Sequence, residues 1–466
     1  MAHNLKLNEM MQFLWKRSVA PAFVSRCRSF SSGVTGNGSS LFSVMSFGDG
    51  SQGALGLPSS LIGVGADAYE PTVVPGLPAD VVSVSAGHYH SLAVTAKGEL
   101  WAWGRNDEGQ LGRGLLEPRC SWNEPKLVKE LDNVKVQSAF ASGVISAAIG
   151  DDGSIWTWGR SKRGQLGHGK GITESLVPSK VKALTGEHIT KVSLGWGHVL
   201  AQTIDGKLFG WGYSADGRLG RLGETVKASP LDSSAELPGR HEMTSSEALD
   251  VAEKLVLESM EKEKDMPIVW EPHLIEELHS ISVTDISCGL DHSLLICRDN
   301  TILSGGSNIY GQLGRENQGL RFFPVDISFR PLSVACGLGH SLAICEIPAS
   351  EDGNDFRKAV YSWGWNGSSQ LGRPGHESKP LAVESLAEEI PTAVSCGRVH
   401  SLAVTGNGQL WVWGCGKNGR LGLGSSFDES EPALVDIEQY KVVQAVAGTI
   451  QRLESICCLE KSIGYR

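Results

Sequence analysis

Apolar and polar residues alternate along this chain in short runs. His90, Leu92 and Val94 share one side of such a run, and Trp101 and Trp103 share one side of the next. A period of two marks half-buried strands rather than helices. Glycine-rich loops separate the runs, and one loop pattern returns seven times: "FGDGSQGALG" (47–56), "WGRNDEGQLG" (103–112), "WGRSKRGQLG" (158–167), "WGYSADGRLG" (211–220), "GGSNIYGQLG" (305–314), "WGWNGSSQLG" (363–372) and "WGCGKNGRLG" (413–422). Their second glycines, from Gly48 to Gly414, mostly lie 50 to 58 residues apart, and the exception, Gly212 to Gly306, is a gap of 94.

A second unit precedes most of these loops: "GHYHSLAV" (87–94), "GWGHVLAQ" (195–202), "GLDHSLLI" (289–296), "GLGHSLAI" (337–344) and "GRVHSLAV" (397–404). A degenerate copy, "SGVISAAI" (142–149), has Ile145 in the histidine position. Proline marks a third recurrent place, a strand entrance, at Pro71, Pro125, Pro178, Pro272, Pro324, Pro380 and Pro432. Each repeat therefore reads as four short strands: a Pro-bearing strand, a strand running into the GxxH glycine, "HSLAV" and "LWAWG". Seven such sheets set radially form an all-β, seven-bladed propeller, an arrangement that leaves only short edges.

The two ends are incomplete. "SVMSFGDGSQGALGLP" (43–58) has a loop but no preceding strand pair. "KVVQAVAGTIQRLESICC" (441–458) is a strand pair with no following loop, and its spacing puts Gln451 in the histidine position. The ends are expected to complete one blade between them, so that the propeller runs from 43 to 460, with 461–466 a tail.

Two segments stand outside the repeats. Residues 1–30 carry Lys6, Lys16, Arg17, Arg26 and Arg28 against Glu9 alone, with apolar and serine residues between, the composition of an organellar presequence. Arg28-Ser29-Phe30 before Ser31-Ser32 is similar to a mitochondrial processing site, and 31–42 then forms a Gly/Ser-rich leader. A plastid address or a disordered tail are the other readings of this end. The second segment is an insertion at 224–269. Between Gly220 and Pro272 lie 51 residues, where the other repeats use 7 to 14. Within it 244–265 reads as an amphipathic helix, with Thr244 and Glu247 at capping-box spacing and Ala248, Val251, Ala252, Leu255 and Val256 as its apolar stripe. A lid on the loops, a partner-docking helix and a mobile acidic loop all fit it.

"GxxHSLAV" followed by "LWxWGxNxxGQLG" closely resembles the regulator of chromosome condensation repeat family. The resemblance covers about Ser43 to Cys458 apart from the insertion. It implies a propeller that works as a binding platform. The founding member of that family is an exchange factor for the nuclear-transport GTPase, and a plant relative is an ultraviolet-B photoreceptor. Plant mitochondrial members look like supporters of organelle gene expression, and the presequence makes them the nearest analogy.

Candidate chemistry is sparse. His90, His198, His292, His340 and His400 occupy equivalent places in different repeats, so they cannot converge on one metal ion; they are expected to be hydrogen-bonded within their blades. Cys288, Cys336 and Cys396 share one repeat position and Cys297 and Cys345 another, which suits small buried hydrophobes. "GQLGHGK" (164–170) nearly fits a phosphate-binding loop, but Gly171 stands where the magnesium-binding hydroxyl belongs. Most of the 13 tryptophans sit at "WxWG" positions, and only Trp196 lies in a GWxH unit, which argues against light sensing. No catalytic residue, cofactor or metal site is expected.

Charge adds one asymmetry. The formal net charge is −10, and without residues 1–30 it is −14, too acidic for a generic nucleic-acid binder. Yet the repeat loops carry Arg105, Arg113, Arg160, Lys162, Arg163, Arg218, Arg221, Arg315, Arg373, Lys417 and Arg420 against only Asp49, Asp107, Glu108 and Asp216, a net +7. The opposite turns carry Glu99, Asp151, Asp152, Asp205, Asp299 and the acidic run 346–355. A basic ring on an acidic protein would focus an anionic partner; ordinary solvated loop charges are the plain alternative.

Residues and resemblance together give a non-enzymatic scaffold of the mitochondrial matrix. It would bind protein partners, and RNA directly or through protein, in RNA processing, splicing or translation, and so support respiratory-complex biogenesis. A nuclear or cytoplasmic location is the alternative. Exchange factor or regulator of a small GTPase is the rival function, and an ultraviolet-B receptor a third. No membrane insertion is expected.

Overall fold

The computed structural model describes residues 42–58, 66–114, 118–221, 267–316, 319–349, 355–437, 440–448 and 454–461. All of them fall within Asn37–Arg466. Residues 1–30, expected as a presequence, most of the expected leader at 31–42, the residues after 461 and nearly all of the expected acidic insertion at 224–269, including the helix expected at 244–265, lie outside the described residues. Among the described residues the only helices are three-residue 3-10 turns such as Lys182–Leu184 and Glu384–Leu386.

The strands form seven four-stranded antiparallel sheets. From the inner strand outward, the first blade is Val81–Ala86, His90–Thr95, Leu100–Gly104 and Lys126–Leu127. The second is Val136–Ala141, Ile145–Gly150, Ile155–Arg160 and Glu174–Lys180, and the third is Ile189–Leu194, His198–Thr203, Leu208–Tyr213 and Ile268–Leu274. The fourth is Val283–Cys288, His292–Cys297, Ile302–Gly306 and Phe323–Pro324. The fifth is Arg330–Cys336, His340–Pro348, Phe356–Gly364 and Leu381–Ala382, and the sixth is Pro391–Cys396, His400–Thr405, Leu410–Gly414 and Glu429–Leu434. The closing blade joins Tyr440–Ala447 and Glu454–Lys461 to Phe42–Gly48 and Ala68–Val73. Each inner strand packs against the inner strand of the next blade, and the closing blade packs against the first, so the ring is shut.

Repeat and blade are out of phase by one strand. The Pro-bearing strand does not begin its own blade; it bonds to the third strand of the blade before, as Ala68–Val73 does to Phe42–Gly48. That outer place suits a residue without an N–H, because one side of an edge strand faces no partner.

The closing register differs from the sequence expectation. In the first blade His90 pairs with Gly104 and Ser91 with Trp103. In the closing blade Gly48 pairs with Glu454 and Phe47 with Ser455. Glu454, and not Gln451, therefore holds the histidine register position. Six residues separate Ala447 from Glu454, where three separate Ala86 from His90, and alignment by spacing alone misses that shift.

Closure is made by backbone and by one side chain. Glu454–Lys461 pairs along its length with Phe42–Gly48. Gln444 bridges to the first blade, accepting from the Val84 N–H at 3.0 Å and donating to its carbonyl at 3.2 Å. Deleting residues 449–466 removes the strand that shuts the ring. Such a chain should lose its cooperative thermal transition in circular dichroism; a transition with the full-length midpoint would contradict this account of closure.

Candidate functional site

The repeat loop leaves the third strand of each blade beside the start of the second, because His90 pairs with Gly104 and His340 with Gly364. Loops and GxxH turns therefore share one end of the ring, the loop face, where the candidate site was expected.

The repeat histidines are buried there, and His90, His198, His292 and His340 bond across to the next blade rather than within their own. His90 Nε2 lies 2.7 Å from Ser146 Oγ, His198 2.9 Å from Ser293, His292 3.1 Å from Ser341 and His340 3.1 Å from Ser401. Each serine donates back to the loop of the histidine's blade: Ser146 to the Gln110 carbonyl at 2.8 Å, Ser341 to Gln312 at 2.9 Å and Ser401 to Gln370 at 2.8 Å. A hydroxyl has one proton. It goes to the carbonyl, so the imidazole must donate from Nε2–H. Burial then lowers His90, His292 and His340 from 6.5 to about 3. His198 and His400 are also held well below 6.5, chiefly by burial.

The same loop carbonyl takes a second donor. Trp158 Nε1 reaches Gln110 O at 2.9 Å, Trp363 reaches Gln312 at 2.9 Å and Trp413 reaches Gln370 at 2.9 Å. Two glycines show why the motif tolerates so little. A Cβ on Gly337 would stand 2.3 Å from the His340 ring, and one on Gly372, at φ +65°, 2.8 Å from Trp413. The loop leucines Leu111, Leu166 and Leu371 are fully buried beneath.

The basic ring is thinner than the sequence implies. Arg113, Arg218, Arg315, Arg373 and Arg420 are buried and face inward. Arg373 donates to the carbonyls of Ser362 at 2.6 Å, Pro374 at 3.0 Å, His376 at 3.1 Å and Lys379 at 3.0 Å. Arg315 bonds to Ser304 Oγ at 2.9 Å, Arg420 to Lys417 O at 2.7 Å and Arg218 to Asp216 at 3.0 Å, while Arg113 bonds to the Ala102 and Glu124 carbonyls. Buried carbonyls need donors, and a guanidinium supplies five. Arg105 is held by Asp107 at 2.8 Å and Glu108 at 2.7 Å. Arg160 is exposed but paired with Glu174 at 2.6 Å. Lys162, Arg221 and Lys417 are exposed and Arg163 half-buried. A charge count over the loops cannot distinguish a surface arginine from a buried one. What remains at the surface is concentrated in the second blade's loop, at Arg160, Lys162 and Arg163.

The serines went unrecognised as partners in the sequence, although "HS" recurs at four of the five histidines. Cys288, Cys297, Cys336, Cys345 and Cys396 are buried free thiols. Burial pushes Cys288, Cys297 and Cys345 up to about 12, which keeps them protonated. Among the described residues no group of His, Cys, Asp or Glu could hold a metal ion, and no helix is long and apolar enough to cross a membrane.

A ring of four-stranded blades joined by a repeated loop-to-blade link defines a β-propeller of the chromosome-condensation repeat type. The sequence profile of the RCC1-like domain matches residues 43–451, and the chain belongs to that family. It is 28% identical over 354 residues to the ultraviolet-B receptor UVR8 of Arabidopsis thaliana, covering 75% of this chain and 68% of that one. It is 28% identical over 340 residues to the mitochondrial RCC1 domain-containing protein RUG3 of Arabidopsis thaliana, covering 72% and 66%. The fold is similar to that of Prp20p from Saccharomyces cerevisiae, a protein with binding properties to Gsp1p and histones, at a TM-score of 0.69 and 22% identity over 91% of this chain and 92% of that one.

Two outcomes test these roles. Arg373→Gln strands buried carbonyls and should cost about 2–3 kcal/mol in urea unfolding, whereas Lys162→Gln, at the surface, should change stability by less than about 0.5 kcal/mol. Equal effects would contradict the division. The second concerns acid. Unfolded imidazoles titrate near 6.5 and these folded ones near 3, so between those values unfolding takes up protons. Stability is complete above about pH 6.5 and falls as the pH drops, by up to about 1.4 kcal/mol per unit for each histidine. His340→Gln should lower the proton uptake, read from the slope of stability against pH, by about one. An unchanged slope would count against the buried neutral histidine.

Proposed function

We propose that this chain is a non-enzymatic binding platform of mitochondria, which holds protein partners on its loop face in RNA processing or translation. One observation carries the platform reading: the histidines, serines and tryptophans of the motif are engaged in holding neighbouring blades together, and five of the loop arginines are buried against carbonyls and side chains of their own blades. Arg160, Lys162 and Arg163 lie together in a single loop, Lys162 exposed, Arg160 exposed and paired with Glu174, and Arg163 half-buried over Trp196. The likeness to mitochondrial RUG3 and the basic, acid-poor residues 1–30 support the address. RNA enters through the family resemblance alone. The Gsp1p binding of Prp20p favours a second reading, regulator or exchange factor of a small GTPase.

Affinity purification from isolated mitochondria, with and without RNase, tests the first reading. Splicing or ribosomal proteins should be recovered, and Arg160→Glu, Lys162→Glu and Arg163→Glu together should cut that recovery at least severalfold while the thermal midpoint holds. Absence from mitochondria, or full recovery with the triple variant, would sink it. Accelerated GDP release from a small GTPase would establish the second reading instead.

A further inference from the structure

The residue after the glycine of each GxxH turn is drawn to the ring axis. Trp196, Leu290 and Leu338 hold that position in the third, fourth and fifth blades, and they pack in one cluster with Val399 of the sixth. Arg398, beside Val399, holds the position in the sixth blade and is fully buried. His88 holds it in the first. Its ring stacks on Trp196, with centroids 5.3 Å apart and planes 18° from parallel, and it roofs Gly143, where a Cβ would lie 2.5 Å from the ring. The Arg163 guanidinium lies over Trp196, 4.4 Å from the ring centroid. His88, Trp196 and Arg163 thus come together from three blades.

This end of the axis gathers donors and positive charge. His88 is 2% exposed, and its Nε2 has no hydrogen-bond partner in the structure. Burial holds its pKa well below 6.5, and His90, Arg163, Arg398 and Arg105 push it the same way, with no carboxylate among them. Arg163, Arg398 and Arg105 are the cations that act on His88, and Arg105 lies over Tyr89 at 4.9 Å beside Asp107 and Glu108. A metal cation is disfavoured in such a field. A group bearing several negative oxygens would give the imidazole an acceptor and match the planar fork of a guanidinium.

We propose that the axial end of the loop face is a binding site for a multiply charged oxyanion, formed by His88, Arg163 and Arg398, with inorganic phosphate as its simplest ligand. The site does not depend on the mitochondrial platform reading. Arg163 forms its accessible side, and Trp196 holds that guanidinium in place.

Isothermal titration of the full chain with inorganic phosphate, at pH 7 and an ionic strength fixed with chloride, tests it. Saturable binding at one site per chain is expected. His88→Asn and Arg163→Gln should each weaken it tenfold or more, and Lys170→Gln, in the neighbouring loop that nearly fits a phosphate-binding motif, should leave it unchanged. Arg163 is half-buried at the surface, so Arg163→Gln carries the test if His88→Asn fails to fold. No heat beyond the chloride control would overturn the site, as would Arg163→Gln binding phosphate as tightly as the parent chain or Lys170→Gln losing it.

Discussion

The ring depends on one doubly used carbonyl. At the glutamine of a GQLG loop, the backbone oxygen accepts from both a tryptophan Nε1 and a serine Oγ of the next blade, as Gln370 does from Trp413 and Ser401. The serine is in turn fixed by the previous blade's histidine, His340. Each such bond contributes about 1 kcal/mol net, but a donor or acceptor left unmade in the interior costs about 1–3 kcal/mol. The link is therefore more exacting than it is strong. It explains why His, Ser, Trp, Gln and two glycines recur together although they are far apart in sequence.

Exceptions follow the same logic, because the loss of one partner is met by a change in the other. The second blade has Ile145 for histidine, and the third has Val199 where its acceptor serine would be; both are fully buried in one cluster. A polar pair has been exchanged for an apolar one, and nothing is left unsatisfied. Trp211 keeps its bond to the Gln165 carbonyl across that junction, at 2.7 Å. In the fourth blade Gly305 replaces the tryptophan, and Phe322 from the following loop fills its place, so that a Cβ on Gly305 would lie 2.9 Å from the Phe322 ring. Stability in a ring of repeats is set by neighbour junctions, so each must be repaired locally.

Strand content, blade architecture and the union of the two ends were all legible in the sequence, because period-two alternation and a 50–58 residue repeat are local signals. The phase between repeat and blade was not. Nothing in the Pro-bearing strand says which neighbour it will bond. Glu454 was missed because three more residues than in the other repeats lie between the last two strands, and a fixed GxxH spacing does not count them. The loop arginines were misjudged for a different reason. Arg373 and Lys162 look alike in a charge count, but one faces carbonyls that only the folded loop brings together. The axial set was invisible because His88, Trp196 and Arg398 share a repeat position but no residue type, and Arg163 joins them from the loop of a fourth blade.

Motif and recognition must therefore be separated in a ring of this kind. A residue that a junction needs cannot vary freely to suit a partner, since changing it demands a matching change in the neighbouring blade. Specificity is left to positions the junction ignores: the loop residues that follow the "WG" pair, and the two residues inside each GxxH turn. In this chain those positions hold Arg160, Lys162 and Arg163 in one loop, and His88, Trp196 and Arg398 at the axis. Arg163 is common to both groups, because its guanidinium lies on an axial tryptophan. Stacking limits the freedom of a long side chain, so little ordering entropy is left to lose when a partner arrives. The loop face is thus prepared at one place on its circumference, where the second blade's loop meets the axis.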